Sequence, residues 1–350
     1  MNVLSVGYPL FPVSADSAGG AEQILFLLER GLVKAGHRSL VIAARGSRVS
    51  GELVETPPAS GEITDAVREQ AQQAHAACIQ QVLEQFPVDL VHFHGLDFSN
   101  YLPAGPVATI ATLHLPLAWY PPSVFSRQKI GGKPAISLCC VSESQARTAP
   151  DGLRLPVVPN GIEVERYRAD APRRPYLLWL GRVCEEKGTD IALRAAHRLG
   201  LPLMVAGPVH PFPYHQTYFS ERVAPLLDEK RRYVGAVALE QKIELLAEAR
   251  CVLIPSLAAE TGSLVAMEAI SSGAPVIAFD SGALPEMVEH GVTGLIVSSE
   301  EEMAEAVKRT GEISPARCRE EALRRFDAAR MVEGYINLYR QLYRHGRASG

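Results

Sequence analysis

Short runs of consecutive apolar residues alternate with helical patterns along the chain, and this alternation limits the possible fold more than any other feature. Strands of a half-exposed antiparallel sheet alternate apolar with polar residues, whereas strands buried on both faces are apolar at every position. Such buried strands belong to parallel sheets that helices cover on both sides. The sequence therefore predicts an α/β fold with parallel sheets.

The first half of the chain shows this pattern from its first residues. We predict one helix from Gly20 to Gly36, with Gly36 as its C-cap, and a longer helix over 64–86. Strands are predicted at 2–7, 40–43, 90–93, 107–113 and 136–141. These elements predict a doubly wound first domain over residues 1–165.

The alternation begins again after the charged, Pro-bearing stretch 163–175, which we interpret as a linker. Strands are predicted at 176–180, 203–206, 232–234, 252–254, 276–279 and 295–297, and helices near 189–199, 239–249, 264–272 and 300–310. These elements predict a second doubly wound domain over 172–325. A terminal helix is predicted within 326–345, because apolar and aromatic residues recur there at helical spacing. A chain of 350 residues also exceeds what one hydrophobic core usually supports.

Composition excludes several classes of partner. The net charge is −4 and the pI is about 6.2, whereas a domain that neutralises many phosphates has an excess of Lys and Arg. Nucleic acid is therefore not an expected partner. The six scattered cysteines are typical of buried thiols, and no segment has the roughly 18 uninterrupted apolar residues of a membrane span. We predict a cytoplasmic protein with at most peripheral membrane contact.

Two carboxylates stand eight positions apart in the segment Glu-Thr-Gly-Ser-Leu-Val-Ala-Met-Glu, at Glu260 and Glu268. Glu260 follows a predicted strand, and a helix is predicted to begin near Ser263 or Leu264. Eight helical positions are about 80° out of phase, so the two side chains are expected to serve different parts of one ligand. The free amides before the helix, including those of Thr261, Gly262 and Ser263, are typical of an anion site. The alternative is that both carboxylates are solvated charges at a helix end.

With this motif the sequence resembles family 4 of the retaining glycosyltransferases, which have the GT-B fold. The resemblance implies two Rossmann-like domains that face each other across a cleft, with the terminal helix crossing back to the first domain. It implies that Glu260 binds hydroxyls of the donor sugar and that Glu268 binds the ribose. It also implies that the amides of the helix start hold the diphosphate, at Gly262, Ser263, Leu264 and Val265. This sequence departs from the commoner motif, which has Phe and Gly at positions 262 and 263.

Two cations and two glycines extend the resemblance. Arg182 and Lys187 follow the first strand of the second half, and in the family they bind the diphosphate of the donor. The alternative is a pair of ordinary exposed basic side chains. Gly19 and Gly20 precede the first helix, and the family uses this loop at the donor phosphates and on the acceptor side. No Asp-x-Asp motif is present to hold a divalent metal, so a metal-independent reaction without a cofactor is expected.

A histidine ends the strand predicted at 107–113. A histidine at such a place is often a structural hydrogen-bonding group. The family, however, places one beside the reacting sugar, so we predict that His114 is catalytic together with Glu260. His92 and His94 are weaker candidates that line the same region. By the same resemblance Val237 lines the base pocket, and we favour a UDP-sugar over a GDP-sugar as donor.

The stretch from Pro208 to Phe219 and the loop 119–132 do not correspond to the motifs described above. His210 and His215 lie in the stretch from Pro208 to Phe219, and no carboxylate or cysteine accompanies them at ligand spacing. We therefore predict no metal site and expect this stretch to shape the sugar pocket. The loop 119–132 mixes aromatic and basic residues, and we expect Trp119 and Tyr120 to contribute to acceptor recognition.

These observations predict a transferase that moves a sugar from a nucleotide-diphosphate sugar to an acceptor hydroxyl with retention of configuration. The acceptor is a small molecule, a glycan or a lipid-linked sugar, and the sequence does not choose among them. A nucleotide-sugar epimerase of the same fold and a non-catalytic nucleotide-sugar-binding protein are the alternatives. An NAD-dependent dehydrogenase is disfavoured, because no Gly-x-Gly-x-x-Gly follows the first strand of either half.

Overall fold

A computed structural model describes residues 1–17, 19–59, 63–103, 105–126 and 136–348. The chain divides into two compact units, one of Met1–Asn160 with Ala328–Gly350 and one of Gly161–Asp327. Of the loop predicted to recognise the acceptor, residues 127–132 lie outside the described residues. Among the helices that can be described, none combines the length and the apolar character needed to cross a bilayer.

The first unit is built on a six-stranded parallel sheet with strand order β3-β2-β1-β4-β5-β6. Its strands are β1 (Asn2–Val6), β2 (Arg38–Ala44), β3 (Glu52–Thr56), β4 (Leu90–Phe93), β5 (Ala108–Leu113) and β6 (Ser137–Cys140). Its helices are α1 (Gly20–Lys34), α2 (Asp65–Gln85), α3 (Pro122–Ser126) and α4 (Glu143–Arg147). The edge strand β3 was not predicted, because it is mostly half-exposed and includes two glutamates, so it lacks an apolar run.

The second unit repeats the architecture, with strand order β12-β11-β10-β7-β8-β9 and all pairings parallel. Its strands are β7 (Leu177–Leu180), β8 (Leu203–Ala206), β9 (Arg231–Gly235), β10 (Cys251–Ile254), β11 (Val276–Phe279) and β12 (Gly294–Val297). Its helices are α5 (Thr189–Leu199), α6 (Pro213–Tyr218), α7 (Leu239–Glu248), α8 (Leu264–Ser271), α9 (Leu284–Met287), α10 (Glu300–Lys308) and α11 (Pro315–Arg325). The predicted doubly wound parallel sheets are confirmed in both units.

The terminal helix α12 (Ala328–Ala348) belongs to the first unit, where it packs against α1. Tyr335 and Tyr339 are fully buried, and their hydroxyls reach polar groups of the sheet. The Tyr335 hydroxyl lies 2.9 Å from Thr112 Oγ1, and the Tyr339 hydroxyl lies 2.6 Å from Nδ1 of His92. The predicted return of the terminal helix to the first domain is confirmed.

The stretch 163–175 is packed against the second unit, which differs from the linker predicted for it. Val164 and Tyr167 are buried in the core of that unit, and Arg173 donates hydrogen bonds to backbone carbonyls of Leu246 and Ala247. Its charged and Pro-bearing composition suggested an exposed segment. Arg173 is instead held by carbonyl groups, and Val164 and Tyr167 are buried between exposed charged residues.

His75 on α2 is fully buried beside the ring of Tyr101, and burial lowers its pKa to about 4. An unfolded chain binds a proton at this histidine below about pH 6.5, whereas the folded chain does not until about pH 4. Unfolding therefore takes up a proton in this window, and stability falls as the pH is lowered. From pH 7 to pH 5 we expect His75 to account for a loss of about 2 kcal/mol in the free energy of unfolding.

Denaturant unfolding at these two pH values measures this loss. The variant His75→Leu cannot take up the proton, so its unfolding free energy should fall less over the same interval. The variant His290→Gln removes an exposed histidine and should keep the full loss. An equal pH dependence of His75→Leu and the parent protein would contradict the prediction.

Candidate active site

Glu260 is the centre of a charged cluster at the carboxyl ends of β7 and β10, which are neighbours in the sheet. Its carboxylate accepts a hydrogen bond from Nζ of Lys187 at 2.5 Å and another from Oγ of Ser256 at 2.5 Å. Burial raises the pKa of Glu260, but the ammonium of Lys187 and these hydrogen bonds outweigh it and hold the pKa below its usual range. The charge of Arg182 acts in the same direction. Glu260 is therefore ionised at neutral pH and acts as a hydrogen-bond acceptor.

The backbone around this cluster depends on two glycines that the sequence analysis did not single out. Gly188 has φ +64°, and a Cβ at this position would lie 2.2 Å from the carbonyl oxygen of Pro255. Gly282 has φ +58°, and its Cβ would lie 2.2 Å from the carbonyl oxygen of Glu260. The next amide, of Ala283, donates to that same carbonyl at 2.7 Å. Both glycines thus permit close backbone contacts that fix the loops on either side of Glu260.

Glu268 lies on α8 and has a different set of partners from Glu260. Its side chain is 3% exposed, and its Oε1 accepts hydrogen bonds from Nζ of Lys242 at 2.5 Å and from the hydroxyl of Tyr167 at 2.9 Å. Lys242 comes from α7, and its side chain is 15% exposed. Tyr167 comes from the stretch that was predicted to be a linker. The two glutamates therefore occupy separate environments, as their predicted placement on one loop and one helix suggests.

The start of α8 provides fewer free amides than the sequence predicts. Ser263 is the N-cap, and its Oγ accepts a hydrogen bond from the amide of Ala266 at 3.3 Å. The amide of Ser263 itself donates to Sδ of Met287 at 3.2 Å, so it is not free. The amides of Leu264 and Val265 donate no hydrogen bond that the structure describes. The same holds for the amide of the half-buried Gly262, so these three amides are anion-binding groups available at this helix start.

The remaining candidates of the second unit lie in loops after strands. Arg182 is half-buried and follows β7 in the same loop as Lys187. Val237 follows β9 just before α7, where it packs against the core of the unit. The loops after β7, β9 and β10 all leave the carboxyl ends of parallel strands, where α/β sheets bind ligands.

The candidates of the first unit also lie at carboxyl ends of strands. Nε2 of His114, after β5, lies 3.0 Å from Nδ1 of His94, after the neighbouring β4, and the two rings are stacked. Burial lowers the pKa of His114 to about 4, so its imidazole is neutral at physiological pH. Gly19 is the N-cap of α1, and a Cβ there would lie 1.9 Å from a carboxylate oxygen of Glu22. Gly20 is the first residue of that helix.

The two aromatic residues expected to recognise the acceptor differ in exposure. Trp119 is 50% exposed, whereas Tyr120 is buried and its hydroxyl accepts a hydrogen bond from the amide of Leu115 at 3.3 Å. Tyr120 therefore has a structural hydrogen bond, and the exposed side chain of Trp119 is the one accessible to a ligand.

Several site residues of the second unit are not predicted from the sequence, because nothing in their local pattern distinguishes them. Ser256 is one of several serines that follow strands, and Lys242 is one basic residue on an amphipathic helix. Tyr167 lies among charged residues. Each becomes recognisable only through its contact with Glu260 or Glu268.

Two family models match consecutive parts of the chain. The model described as "Glycosyltransferase Family 4" matches residues 18–166, and the model described as "Glycosyl transferases group 1" matches residues 174–312. Between them they include every site residue that the sequence predicts, whereas Tyr167 lies between the two matched ranges.

Individual relatives agree with the family models. The D-inositol 3-phosphate glycosyltransferase of Nocardia farcinica is 32% identical over 168 residues, which are 42% of this chain and 37% of that protein. The chain thus covers less than half the length of this relative. AviGT4, a glycosyltransferase involved in avilamycin A biosynthesis, has a solved structure that covers 98% of both chains at a TM-score of 0.72 and 24% identity. Anabaena Alr3699/HepE in complex with UDP-glucose covers 97% of this chain and 100% of its own at a TM-score of 0.74 and 17% identity.

The two parallel sheets, the returning terminal helix and the matched models agree with the resemblance drawn from the sequence. The chain belongs to the group 1, family 4 glycosyltransferases, which have the GT-B fold.

Proposed function

We propose that this protein transfers a sugar from a nucleotide-diphosphate sugar to an acceptor hydroxyl, with retention of configuration and without a metal ion in the transfer step. The observation that supports the proposal most directly is the contact of Lys187 with the buried Glu260, beside Arg182. It places an ionised hydrogen-bond acceptor and two cations at one edge of the sheet. A sugar diphosphate needs both: an acceptor for its hydroxyls and positive charge for its phosphates.

In the proposed reaction, the bond between C1 of the sugar and the diphosphate oxygen breaks as a bond from C1 to the acceptor oxygen forms on the same face. The acceptor proton moves to the departing phosphate oxygen, so no protein nucleophile is required. Arg182, Lys187 and the amides of Leu264 and Val265 stabilise the negative charge that develops on the diphosphate. The ammonium of Lys187 has three donors, so it can hold Glu260 and a phosphate oxygen together.

Glu268 is proposed to bind the ribose. Oε1 of its carboxylate accepts the hydrogen bonds from Tyr167 and Lys242, and these two bonds fix the orientation of the group. The other oxygen is then oriented to accept from ribose hydroxyls, and Val237 provides an apolar wall for the base. The UDP-glucose in the HepE structure favours a UDP-sugar over a GDP-sugar in this proposal. His114, neutral beside His94, is proposed to lie near the reacting sugar.

A thermal-shift screen of nucleotide sugars tests the binding part of the proposal. A donor present at 100 times its dissociation constant should raise the free energy of unfolding by about 2.7 kcal/mol. We expect UDP-sugars to give the largest shifts and the free sugars to give none. If no nucleotide sugar stabilised the protein, the proposal would be wrong.

Mass spectrometry of the bound donor distinguishes transfer from the two alternatives. A transferase releases free nucleotide diphosphate with an acceptor, or slowly by hydrolysis, whereas an epimerase returns a nucleotide sugar of the same mass. A non-catalytic binding protein leaves the donor unchanged. The paired cations at the diphosphate position favour transfer, because bond cleavage there needs stabilisation of the leaving group.

A further inference from the structure

Cys184, Glu186 and His215 come together at the carboxyl ends of β7 and β8, which are neighbouring strands. Their ligand atoms, one from each side chain, all lie within 4.8 Å of one another. Cys184 and Glu186 belong to the loop after β7, and His215 belongs to α6 in the stretch from Pro208 to Phe219. The sequence predicts no metal site here, because no carboxylate or cysteine stands near the histidines along the chain. The fold supplies both from a different loop.

Two polar atoms of this cluster are buried without a partner. Neither Oε2 of Glu186 nor Nδ1 of His215 has a hydrogen-bond partner within the described ranges of the chain. The His215 side chain as a whole is 1% exposed, and Cys184 is equally buried. An unpaired buried polar atom is costly, and most such atoms in proteins find a partner. A cation held between the three side chains would satisfy both atoms at once.

We propose that Cys184, Glu186 and His215 form a binding site for a zinc ion. Thiolate, imidazole and carboxylate are the three side-chain ligands that proteins use for zinc. Ligand atoms around a tetrahedral zinc ion lie roughly 3.5 Å apart, so side-chain adjustments of about 1 Å would complete the coordination. The fourth position is left for water or for His210, whose ring centre lies 6.0 Å from that of His215.

The position of this site gives it a structural role that does not depend on sugar transfer. The ion would join the loop after β7, which includes Arg182 and Lys187, to helix α6 after β8. Such a link would add to the contacts that already hold α6, whose buried Tyr218 donates a hydrogen bond from its hydroxyl to Asp190 of α5. Glu186 directly precedes Lys187 in the chain, so ordering this loop also positions the cation that contacts Glu260.

Metal content and cobalt absorption of the full chain test the proposal. Protein stripped with a chelator and dialysed against Zn²⁺ should retain one ion per chain. With Co²⁺ it should show tetrahedral d–d bands together with thiolate-to-cobalt charge-transfer absorption. The variants Cys184→Ala and His215→Leu should lose retention of the ion, and Glu186→Gln should weaken it at least tenfold. Far-ultraviolet circular dichroism confirms that each variant is folded before its metal content is compared.

The matched controls remove the same residue types elsewhere. Cys78→Ala changes a half-buried cysteine on α2, and His290→Gln changes an exposed histidine, so both should keep the ion and its spectrum. Retention of zinc by folded Cys184→Ala would overturn the proposal, as would a cobalt spectrum without thiolate absorption. Failure of the parent protein to hold the metal after dialysis would overturn it as well. None of these three results would contradict the proposed sugar transfer, which uses other residues.

Discussion

The variant Glu260→Ala is expected to turn over a nucleotide sugar roughly 10²–10³ times more slowly than the parent protein. This is the size of effect that follows from removing one preorganised group that stabilises a transition state. Its carboxylate is ionised, 10% exposed, and fixed by Lys187 and Ser256. A carboxylate held in this way needs no reorganisation when positive charge develops on the sugar during bond cleavage. Turnover should therefore fall more than donor affinity does.

Release of free nucleotide diphosphate, with and without acceptor, measures the turnover of Glu260→Ala. Isothermal titration calorimetry measures the affinity of the same variant for the unreactive nucleotide diphosphate. Glu260→Gln preserves the shape of the side chain and removes its charge, so it should show most of the same loss. Glu301→Ala removes an exposed glutamate of α10 and is expected to leave both quantities unchanged. Parent-like turnover of folded Glu260→Ala would contradict the role proposed for this residue.

The sheets and the Glu260 cluster were predictable from the sequence for one physical reason. Strands buried on both faces must be apolar throughout, and parallel strands place their carboxyl ends at one edge. From that rule, residues after the predicted strands 176–180 and 252–254 are expected at the same edge of one sheet. The strand order then makes β7 and β10 neighbours, and Lys187 contacts Glu260. The resemblance to the family then identified a nucleotide-diphosphate sugar as the expected ligand.

Contacts made between different loops could not be predicted in this way. Tyr167 and Lys242 reach Glu268 from positions 101 and 26 residues away, and neither lies at the end of a predicted strand. Cys184 approaches His215 because the loops after β7 and β8 bend toward each other. The bend of a loop depends on side-chain packing, which has no simple period in the sequence. The charged composition of 163–175 was misleading for the same reason.

The variant Glu268→Ala is expected to lower the free energy of unfolding by about 3–5 kcal/mol, besides weakening nucleotide binding. Glu268 and Lys242 are both largely buried, with side chains 3% and 15% exposed. Removing the carboxylate leaves the ammonium of Lys242 without its partner and the Tyr167 hydroxyl without its acceptor. A buried charge that loses its partner has a desolvation penalty with no compensating attraction, which is larger than the net energy of the intact pair.

A double-mutant cycle separates this structural effect from ligand binding. Lys242→Met with Glu268→Leu removes both charges and should restore most of the stability lost in Glu268→Leu alone, because two apolar side chains replace the ion pair. Nucleotide affinity should not recover in the double variant if the Glu268 carboxylate binds the ribose. Glu240→Ala, an exposed change on the same helix as Lys242, serves as the control for both measurements. Full recovery of nucleotide affinity in the double variant would restrict Glu268 to a structural role. Turnover defects of Glu268→Ala identical to those of Glu260→Ala would contradict the separate roles of the two glutamates.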